Sequence, residues 1–345
     1  MTKIAINGFG RIGRLFFKRI FEEKDMEVVA INDLGDLENL AYLLRYDTVY
    51  GRYGKRVQAD VENHKLVVDE KGILFLQERD PAKLPWKDLG VDIVVEASGV
   101  FAAFDKAKVH LDAGARRVVI TAPAKDEDGV LGQTVLMGVN EEKLKTVAIT
   151  SNGSCTTNAS SPVIQILKET LGIEKAILST VHGYTATQSI VDGPVKGHDF
   201  RRGRAAAQNI TPSTTGAAIA VTRAIPELAG SFDGIAMRVP VPAGSIADIT
   251  LVAKRATSAE EVNEIFRNAA KQPRWQGIMN IIEDQVVSSD ILGEPFGAIV
   301  DLTFTKVVGG TLVKVLSWYD NEAGYTATLV RHVEAVAAFL EGSRA

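Results

Sequence analysis

Gly8-Phe9-Gly10-Arg11-Ile12-Gly13 has the spacing GxGxxG, and it joins a strand-like run, 3–7, to a helix-like segment, 11–23. The spacing alone is a weak signal, but between a strand and a helix it is typical of dinucleotide-binding folds. The three glycines would then allow a tight turn, a close approach of the backbone to a pyrophosphate, and close packing of helix on strand. The amides of Arg11 and Ile12, at the start of the helix, would face the anion.

An acidic residue, Asp33, ends the second strand-like run, twenty residues after Gly13. A carboxylate at this point can accept hydrogen bonds from ribose hydroxyls and repel a 2′-phosphate, which favours NAD over NADP. Gly99 and Thr121 close two further strand-like runs, at the carboxyl ends where ligands of parallel sheets collect. The alternative is that the glycines only form a turn and that Asp33 caps the segment near Leu37. Because strand, glycines, helix and acid occur in register, we predict an NAD site.

The rest of the chain predicts an α/β protein of two domains. Short apolar runs alternate with helix-period segments in the first half, as in a parallel sheet covered by helices. A hairpin-like stretch, 64–77, interrupts this alternation, and long β-rich runs dominate after Cys155. We therefore expect a Rossmann-type dinucleotide-binding domain over 1–154, completed by a C-terminal helix over 321–345. An α+β catalytic domain with a mostly antiparallel sheet would occupy 155–320.

Composition narrows the class of protein further. The 345 residues are 46% hydrophobic and 24% charged, as in an ordinary globular protein. The net charge of −4 gives no overall attraction to nucleic acid or to an anionic membrane, so neither partner is predicted. A single cysteine cannot form an internal disulfide, and neither a signal-like leader nor an apolar run of membrane-spanning length is evident. We expect a cytoplasmic protein.

The single cysteine, Cys155, lies between a strand-like run, 147–149, and an apolar helical segment, 163–171. In the first turn of a helix, a thiolate is stabilised by the partial positive charge and the free amides of the helix start. This position is expected to lower the pKa of the thiol and make it a nucleophile. The alternative is an inert, buried cysteine, which is the commoner case in proteins.

His182 is the candidate partner of the thiol. It ends a strand-like run, 177–181, and an imidazole there could hold an ion pair with a thiolate and accept the proton of a tetrahedral adduct. Covalent oxidation of an aldehyde requires both. We interpret the other histidines as surface or packing residues, and no spacing of cysteine and histidine predicts a metal site. These other histidines are His64, His110, His198 and His332.

Four motifs occur along the chain in this order: Asn7-Gly-Phe-Gly-Arg-Ile-Gly-Arg14, Ser154-Cys-Thr-Thr-Asn158, His182-Gly-Tyr-Thr-Ala-Thr-Gln188 and Ser317-Trp-Tyr-Asp-Asn-Glu322. Together they resemble the motifs of the phosphorylating glyceraldehyde-3-phosphate dehydrogenase family, and the resemblance extends over essentially the whole chain. The resemblance implies that Cys155 attacks the aldehyde, that His182 acts as the base, and that the thiohemiacetal passes hydride to NAD⁺. Inorganic phosphate would then cleave the thioester and release 1,3-bisphosphoglycerate, a step of glycolysis.

The resemblance also implies where the ligands bind. Asn321 would hold the nicotinamide carboxamide, and hydroxyls, guanidinium groups and helix-start amides would hold two phosphates. The nearby cations Arg201 and Arg204 are as readily explained as solvated or subunit-contacting residues. A homotetramer is implied, with the loop 183–208 contributing to subunit contacts. One phosphate set is Thr185, Thr187, Arg202 and Arg238, and the other is Ser154, Thr156, Thr215 and Gly216.

Departures from the family pattern leave the reacting groups intact. Ala159 stands where many members have a second cysteine, and Ala323 stands where a tryptophan is common. Two alternatives remain open at this stage. One is an erythrose-4-phosphate dehydrogenase on the same scaffold, and the other is a non-catalytic regulator that binds nucleotides.

Overall fold

A computed structural model describes residues 1–195 and 197–342. Lys196 of the predicted contact loop and the last three residues of the predicted C-terminal helix, 343–345, lie outside the described residues. The helices are α1 (Arg11–Ile20), α2 (Leu37–Arg45), α3 (Trp86–Leu89), α4 (Phe104–Asp112), α5 (Cys155–Thr170), α6 (Ala217–Ala224), α7 (Ala259–Ala270) and α8 (Ala323–Gly342).

The strands fall into two large sheets and one short ribbon. They are β1 (Thr2–Asn7), β2 (Met26–Asn32), β3 (Tyr46–Asp47), β4 (Gly51–Arg52), β5 (Val57–Asp60), β6 (Lys65–Val68), β7 (Lys71–Leu76), β8 (Ile93–Glu96), β9 (Arg117–Ile120), β10 (Gly132–Thr134), β11 (Ile149–Ser151), β12 (Ile173–Gly183), β13 (Thr211–Thr214), β14 (Phe232–Val239), β15 (Ser245–Ala253), β16 (Met279–Ile282), β17 (Ala298–Val308) and β18 (Leu312–Tyr319).

The first compact unit contains Met1–Val135, Glu141–Gly153 and the chain from Leu329 onward. Its sheet has the order β10-β11-β9-β8-β1-β2-β7-β6-β5. The strands from β10 to β7 run parallel, and β7, β6 and β5 are antiparallel, so the predicted hairpin extends the sheet at one edge. The central strands are buried on both faces, which explains their continuous apolar sequences.

The second compact unit contains Leu136–Asn140 and Ser154–Thr328. Its sheet, in the order β13-β14-β12-β15-β18-β17-β16, is mostly antiparallel, and only the pairs β12–β14 and β16–β17 are parallel. Along β15, buried and half-buried residues alternate strictly, as expected for a sheet with one face on the core. The fold class predicted from the sequence is therefore confirmed.

Helix α5 is the buried helix of the second unit. Its central residues Val163, Ile164 and Leu167 have no exposed surface, and the helix contacts β15, β17 and β18. Burying each such side chain contributes ~1.5–3 kcal/mol. The packing of α5 fixes the position of its first residue, Cys155, relative to the sheet.

Helix α8 begins at Ala323, two residues after the predicted start. Its residues up to Thr328 belong to the second unit, and those from Leu329 belong to the first. Only the part of α8 from Leu329 onward thus belongs to the first unit, whereas the sequence predicted that the whole segment 321–345 completes it. Within residues 1–195 and 197–342, no helix is both long and apolar enough to span a bilayer.

Candidate active site

Cys155 is the first residue of α5, and its side chain is half-buried. Ser154 caps the helix, because its Oγ accepts a hydrogen bond of 3.1 Å from the amide of Thr157. The preceding Gly153 has a φ of +62°, a left-handed conformation that glycine adopts without steric cost. The turn therefore presents the thiol at a helix start, as the sequence predicts.

His182 lies close to the thiol. Its Nε2 is 3.3 Å from Cys155 Sγ, a distance within hydrogen-bond range for sulfur. The histidine is near the end of β12 and is buried. In the neighbouring strand β14, the register pairs Arg238 directly with His182, and Arg238 Nη1 lies 2.6 Å from His182 Nδ1. A thiol, an imidazole and a guanidinium therefore form one contiguous group.

Burial disfavours the charged forms of both the Cys155 thiol and the His182 imidazole when each ionises alone. It raises the pKa of the Cys155 thiol, although Arg238 and hydrogen bonds at the helix start act to lower it. The expectation that the helix start gives a net lowering of the thiol pKa is wrong, because desolvation outweighs the helix start. Burial, followed by the charge of Arg238, lowers the pKa of His182 to about 3. A proton moving from Sγ to Nε2 creates opposite charges 3.3 Å apart, so the two groups ionise as a pair.

The second ring nitrogen of His182 has two competing neighbours. The carbonyl oxygen of Gly183 and the Nη1 of Arg238 each lie 2.6 Å from Nδ1. The carbonyl can only accept and the guanidinium can only donate, so Nδ1 satisfies one of them at a time. With Arg238 as the partner, a neutral ring carries its proton on Nε2. With Gly183 as the partner, Nε2 has a free lone pair toward the thiol.

A chain of buried hydroxyls lies beside this pair. Tyr319 OH is 2.9 Å from Thr156 Oγ1 and 2.7 Å from Thr180 Oγ1, and the tyrosine ring meets the His182 ring edge to face. These contacts hold the first turn of α5 against β12 and β18. They also engage the hydroxyl of Thr156, which the resemblance assigns to a phosphate.

Direct contacts join three members of the first predicted phosphate set, and Arg238 lies near enough to interact electrostatically with Arg202. Thr185 Oγ1 and Thr187 Oγ1 are 2.9 Å apart, and Arg202 donates to Thr187 at 3.3 Å. Arg202 is also near enough to Arg238 to affect its pKa. Two guanidinium groups and two hydroxyls thus share one region, as binding of a phosphate dianion requires. The other cations of this loop, Arg201 and Arg204, form exposed ion pairs with Asp199 and Asp192.

The members of the second predicted phosphate set begin two helices. Ser154 and Thr156 are at the start of α5, and Gly216 immediately precedes α6. Thr215 Oγ1 accepts a hydrogen bond of 3.2 Å from the amide of Ala217, the first residue of α6. Helix-start amides favour an anion, but the side chains of Ser154 and Thr215 are already used as caps.

The glycine loop in the first unit fits a dinucleotide. A Cβ at Gly8, whose φ is +100°, would lie 2.4 Å from the amide nitrogen of Ser98, and one at Gly13 would lie 2.1 Å from the carbonyl oxygen of Gly8. At Gly10 a Cβ would meet no protein atom within 4 Å, and no side chain caps the start of α1. The loop is thus closely packed on the protein side and open where a pyrophosphate would approach.

The predicted cofactor residues differ in what their side chains do. Asp33 accepts hydrogen bonds from the amides of Phe9, at 2.6 Å, and Gly35, at 2.7 Å, so it also fixes the loop. The Arg11 side chain turns to Asp47, 2.6 Å away, and Ile12 is half-buried in α1. Thr121 donates to the carbonyl of Glu96, and Gly99 is exposed with a φ of +73°.

Asn321 belongs to the second unit rather than to the nucleotide-binding one. Its Oδ1 accepts hydrogen bonds from the Gly244 amide at 3.0 Å and from the Ser245 hydroxyl at 3.1 Å. These bonds fix the amide orientation, with its nitrogen directed away from these two donors. A fixed orientation is what a residue that recognises a carboxamide needs.

A cavity of about 520 Å³ adjoins the glycine loop, and it includes residues that the sequence analysis did not assign. Gly8, Gly10 and Asp33 line it as expected. The sequence could have identified Asn7 and Asn32, because both end strands of a parallel sheet and such sheets bind ligands there. The additional lining residues are Asn7, Asn32, Leu34, Glu78, Arg79, Pro81, Ala97, Ser98, Val100 and Phe101. No group of three or more potential metal-binding side chains occurs within the described part of the chain.

A Rossmann-type dinucleotide-binding unit and a second unit with a thiol–imidazole pair define an NAD-dependent oxidoreductase. Family models bear this out: the NAD binding domain of glyceraldehyde 3-phosphate dehydrogenase matches residues 2–104, and the C-terminal domain of the same enzyme matches residues 154–321. The chain belongs to the glyceraldehyde-3-phosphate dehydrogenase family.

Curated relatives agree over nearly the full length. The glyceraldehyde-3-phosphate dehydrogenase of Thermotoga maritima is 50% identical over 337 residues, which cover 97% of this chain and 98% of the relative. That of Streptomyces coelicolor is 47% identical over 331 residues, covering 95% and 96%. That of Clostridium pasteurianum is 46% identical over 338 residues, covering 97% and 98%.

Proposed function

We propose that this protein oxidises glyceraldehyde 3-phosphate to 1,3-bisphosphoglycerate with NAD⁺ and inorganic phosphate, using Cys155 as the nucleophile and His182 as the base. The observation that carries the proposal is the 3.3 Å distance between Cys155 Sγ and His182 Nε2 at the start of a helix. A nucleophile within hydrogen-bond reach of an oriented base is the signature of covalent catalysis. The family and its relatives' names supply the substrate.

The chemistry begins with the thiol proton. His182 Nε2 takes the proton from Sγ, and the thiolate forms a bond to the aldehyde carbon. The imidazolium then gives this proton to the resulting oxyanion, which completes the thiohemiacetal. His182 then accepts the hydroxyl proton as the carbon is oxidised to a thioester. NAD⁺, when bound, supplies the acceptor of the two electrons. Phosphate attacks the thioester carbon, the Cys155 thiolate leaves, and the proton held on His182 returns to it.

Arg238 would couple this proton transfer to substrate binding. Its Nη1 lies 2.6 Å from His182 Nδ1, and a phosphate ester bound with Arg202 would compete for the same guanidinium. With the guanidinium engaged by phosphate, Nδ1–H would donate to the Gly183 carbonyl. The lone pair of Nε2 would then face the thiol, which is the tautomer that a base requires.

Each of the two anion-binding sets would bind one phosphate, either that of the substrate ester or the attacking inorganic phosphate. Thr185, Thr187, Arg202 and Arg238 support binding of the ester phosphate, because two guanidinium groups and two hydroxyls occur together. Ser154, Thr156, Thr215 and Gly216 would receive the attacking phosphate through helix-start amides and hydroxyls.

We propose that one domain binds NAD and that the other carries out the catalysis. Residues 1–154 and the part of α8 from Leu329 to Gly342 would bind NAD through Gly8, Gly10, Arg11, Ile12, Gly13, Asp33, Gly99 and Thr121, and residues 155–320 would carry the catalysis. Asn321 would hold the carboxamide of the cofactor.

A homotetramer in the cytoplasm is the assembly we propose. Large apolar side chains are exposed in and beside the predicted contact loop, with Ile190 at 83%, Phe200 at 71% and Ile210 at 70% of full exposure. Exposed apolar surface of this kind supports coverage by another subunit. Light scattering coupled to size exclusion should give four times the chain mass of 37.2 kDa.

Absorbance of NADH tests the reaction. The full-length protein mixed with glyceraldehyde 3-phosphate, NAD⁺ and phosphate should produce NADH, and Cys155→Ser should not. Omission of phosphate should stop turnover after one equivalent of NADH per active subunit. Sustained turnover without phosphate, or equal activity in the Cys155→Ser variant, would refute the mechanism. A higher kcat/KM for erythrose 4-phosphate than for the triose would refute the substrate assignment.

A further inference from the structure

A buried chain of polar side chains lies beneath the dinucleotide cavity. Asn7, Asn32 and Glu96 are the last residues of three adjacent parallel strands, β1, β2 and β8. The strand register pairs Asn7 with both of the others, so the three side chains lie side by side. Asn32 Nδ2 donates to Asn7 Oδ1 at 2.7 Å, and Asn7 Nδ2 donates to Glu96 Oε2 at 2.5 Å.

Both oxygens of Glu96 are fully used. Oε2 accepts from Asn7 and lies 3.0 Å from His110 Nε2. Oε1 accepts from the Ser98 amide at 2.9 Å and from the Ser98 hydroxyl. Only 2% of Glu96 is exposed. A buried carboxylate is stable only with such donors, and an ionised carboxylate can only accept, so each of its four partners must donate.

Trp86 determines the protonation of His110. The indole Nε1–H lies 3.1 Å from His110 Nδ1, and it can only donate. His110 Nδ1 must therefore accept, and the ring proton is on Nε2, where it donates to Glu96. His110 and Trp86 both have no exposed surface. Two obligate partners, a donor and an acceptor, thus lock one tautomer of the imidazole.

The other end of the chain reaches the cavity. Asn7 and Ser98 line it, and the Ser98 hydroxyl also accepts from the Val100 amide at 3.1 Å. The Ser98 amide nitrogen is the atom closest to the place a Cβ would occupy on Gly8. Because the backbone of Gly8 packs directly against that of Ser98, the position of Ser98 determines the position of the glycine loop.

We propose that Glu96, His110 and Trp86 are positioning residues for NAD⁺, acting through Ser98 and Asn7 rather than by touching the cofactor. This inference rests on the proposed function, in which the dinucleotide occupies this cavity. Loss of the carboxylate charge, or of the locked tautomer, leaves one donor of the chain facing another. The Ser98 turn and the Asn7 amide would then lose their fixed orientation, and NAD⁺ would bind more weakly.

Calorimetric titration of the full-length variants with NAD⁺ tests this inference. Glu96→Gln keeps the shape but introduces an NH₂ among four donors, and we expect NAD⁺ to bind ~10-fold more weakly. Trp86→Phe removes the indole donor and should weaken binding, whereas the matched control Trp275→Phe, also fully buried but in the second unit, should not. The KM for NAD⁺ should rise in Glu96→Gln and Trp86→Phe, with little change in the KM for the aldehyde.

Nitrogen-15 NMR of the histidine ring tests the locked tautomer on which the inference depends. The parent should show His110 protonated on Nε2 alone, and Trp86→Phe should show a mixture of tautomers. A proton on Nδ1 in the parent, or equal loss of NAD⁺ affinity in Trp86→Phe and Trp275→Phe, would overturn the inference.

Gly10→Val separates this inference from the function on which it rests. It should abolish NAD⁺ binding, because its side chain would project into the open side of the loop. Unchanged binding by Gly10→Val would refute the cavity assignment itself. Abolished binding in Gly10→Val with normal binding in Glu96→Gln would refute only the positioning role.

Discussion

Arg238 Nη1 lies 2.6 Å from His182 Nδ1, while Nε2 of the same ring lies 3.3 Å from the Cys155 thiol. A fixed cation on one side of the imidazole thus affects the acidity of the thiol on the other. The guanidinium favours the charged form of the thiol and disfavours the charged form of the imidazole. It therefore lowers the pKa of both groups but has opposite effects on their ionisation.

Removal of this cation should make the thiol less acidic. In Arg238→Gln, we expect the pH midpoint for alkylation of Cys155 by iodoacetamide to rise, because burial already raises the thiol pKa and the opposing charge is lost. Alkylation rates across a pH series measure it. Arg202→Gln is the control, since Arg202 is in the same phosphate set but does not contact His182. Equal midpoints in the two variants would contradict the prediction.

Loss of the base should reduce turnover and leave cofactor binding intact. His182→Asn is expected to lower kcat by roughly 10²–10⁴-fold, the usual contribution of a positioned general base. Steady-state rates and NAD⁺ titrations measure the two effects. His64→Gln, in the exposed turn between β5 and β6, is the control and should keep parental kcat. A His182→Asn variant within a factor of three of the parent would exclude His182 as the base.

Cofactor preference should depend on the charge of Asp33. Asp33→Asn keeps an oxygen that can accept from the Phe9 amide but removes the repulsion of a 2′-phosphate. We expect kcat/KM for NADP⁺ to rise relative to that for NAD⁺. Initial rates with both cofactors measure the ratio. An unchanged ratio would mean that Asp33 serves only to fix the loop.

The buried His332 should make the fold sensitive to acid. Burial lowers its pKa to about 4, so the unfolded chain takes up a proton near pH 6.5 that the folded chain accepts only near pH 4. The stability present above pH 6.5 is therefore lost as the pH falls toward 4, by up to about 3 kcal/mol.

Urea unfolding at several pH values and one protein concentration tests this dependence. His332→Gln should lose part of the slope between pH 6.5 and 4, although it also loses the contact with Thr150 and starts less stable. The exposed His198→Gln should keep the parental slope. A parental slope in His332→Gln would contradict the assignment.

Oxidation of Cys155 should not give an internal disulfide. It is a free thiol, and Ala159 occupies the position where many family members have a second cysteine. Peroxide should therefore add one, then two, then three oxygen atoms. Intact mass spectrometry measures these products, and Cys155→Ser should show none of these cysteine products. A product two hydrogens lighter than the thiol would indicate a cyclic sulfenamide with a backbone nitrogen and would contradict the predicted series.

The sequence by itself determined the alternation of strands and helices in the first unit and the β-rich character of the second unit. The roles of Gly8, Gly10 and Gly13 could be predicted from the sequence because they are local, in a turn between a strand and a helix. The position of Cys155 at a helix start could be predicted for the same reason, since the polar residues that cap the helix are next to the cysteine in the chain. Periodicity predicted the strands of the second sheet, because one face of that sheet is buried.

Only the tertiary structure decided which distant side chains meet. Arg238 faces His182 because of the register of β12 and β14, and no local pattern encodes that register. His110, which the sequence suggested to be an ordinary surface or packing residue, is buried, and its two ring nitrogens face Trp86 and Glu96. The thiol pKa was misjudged for a related reason: the helix start is visible in the sequence, whereas desolvation is the sum of everything packed around the sulfur.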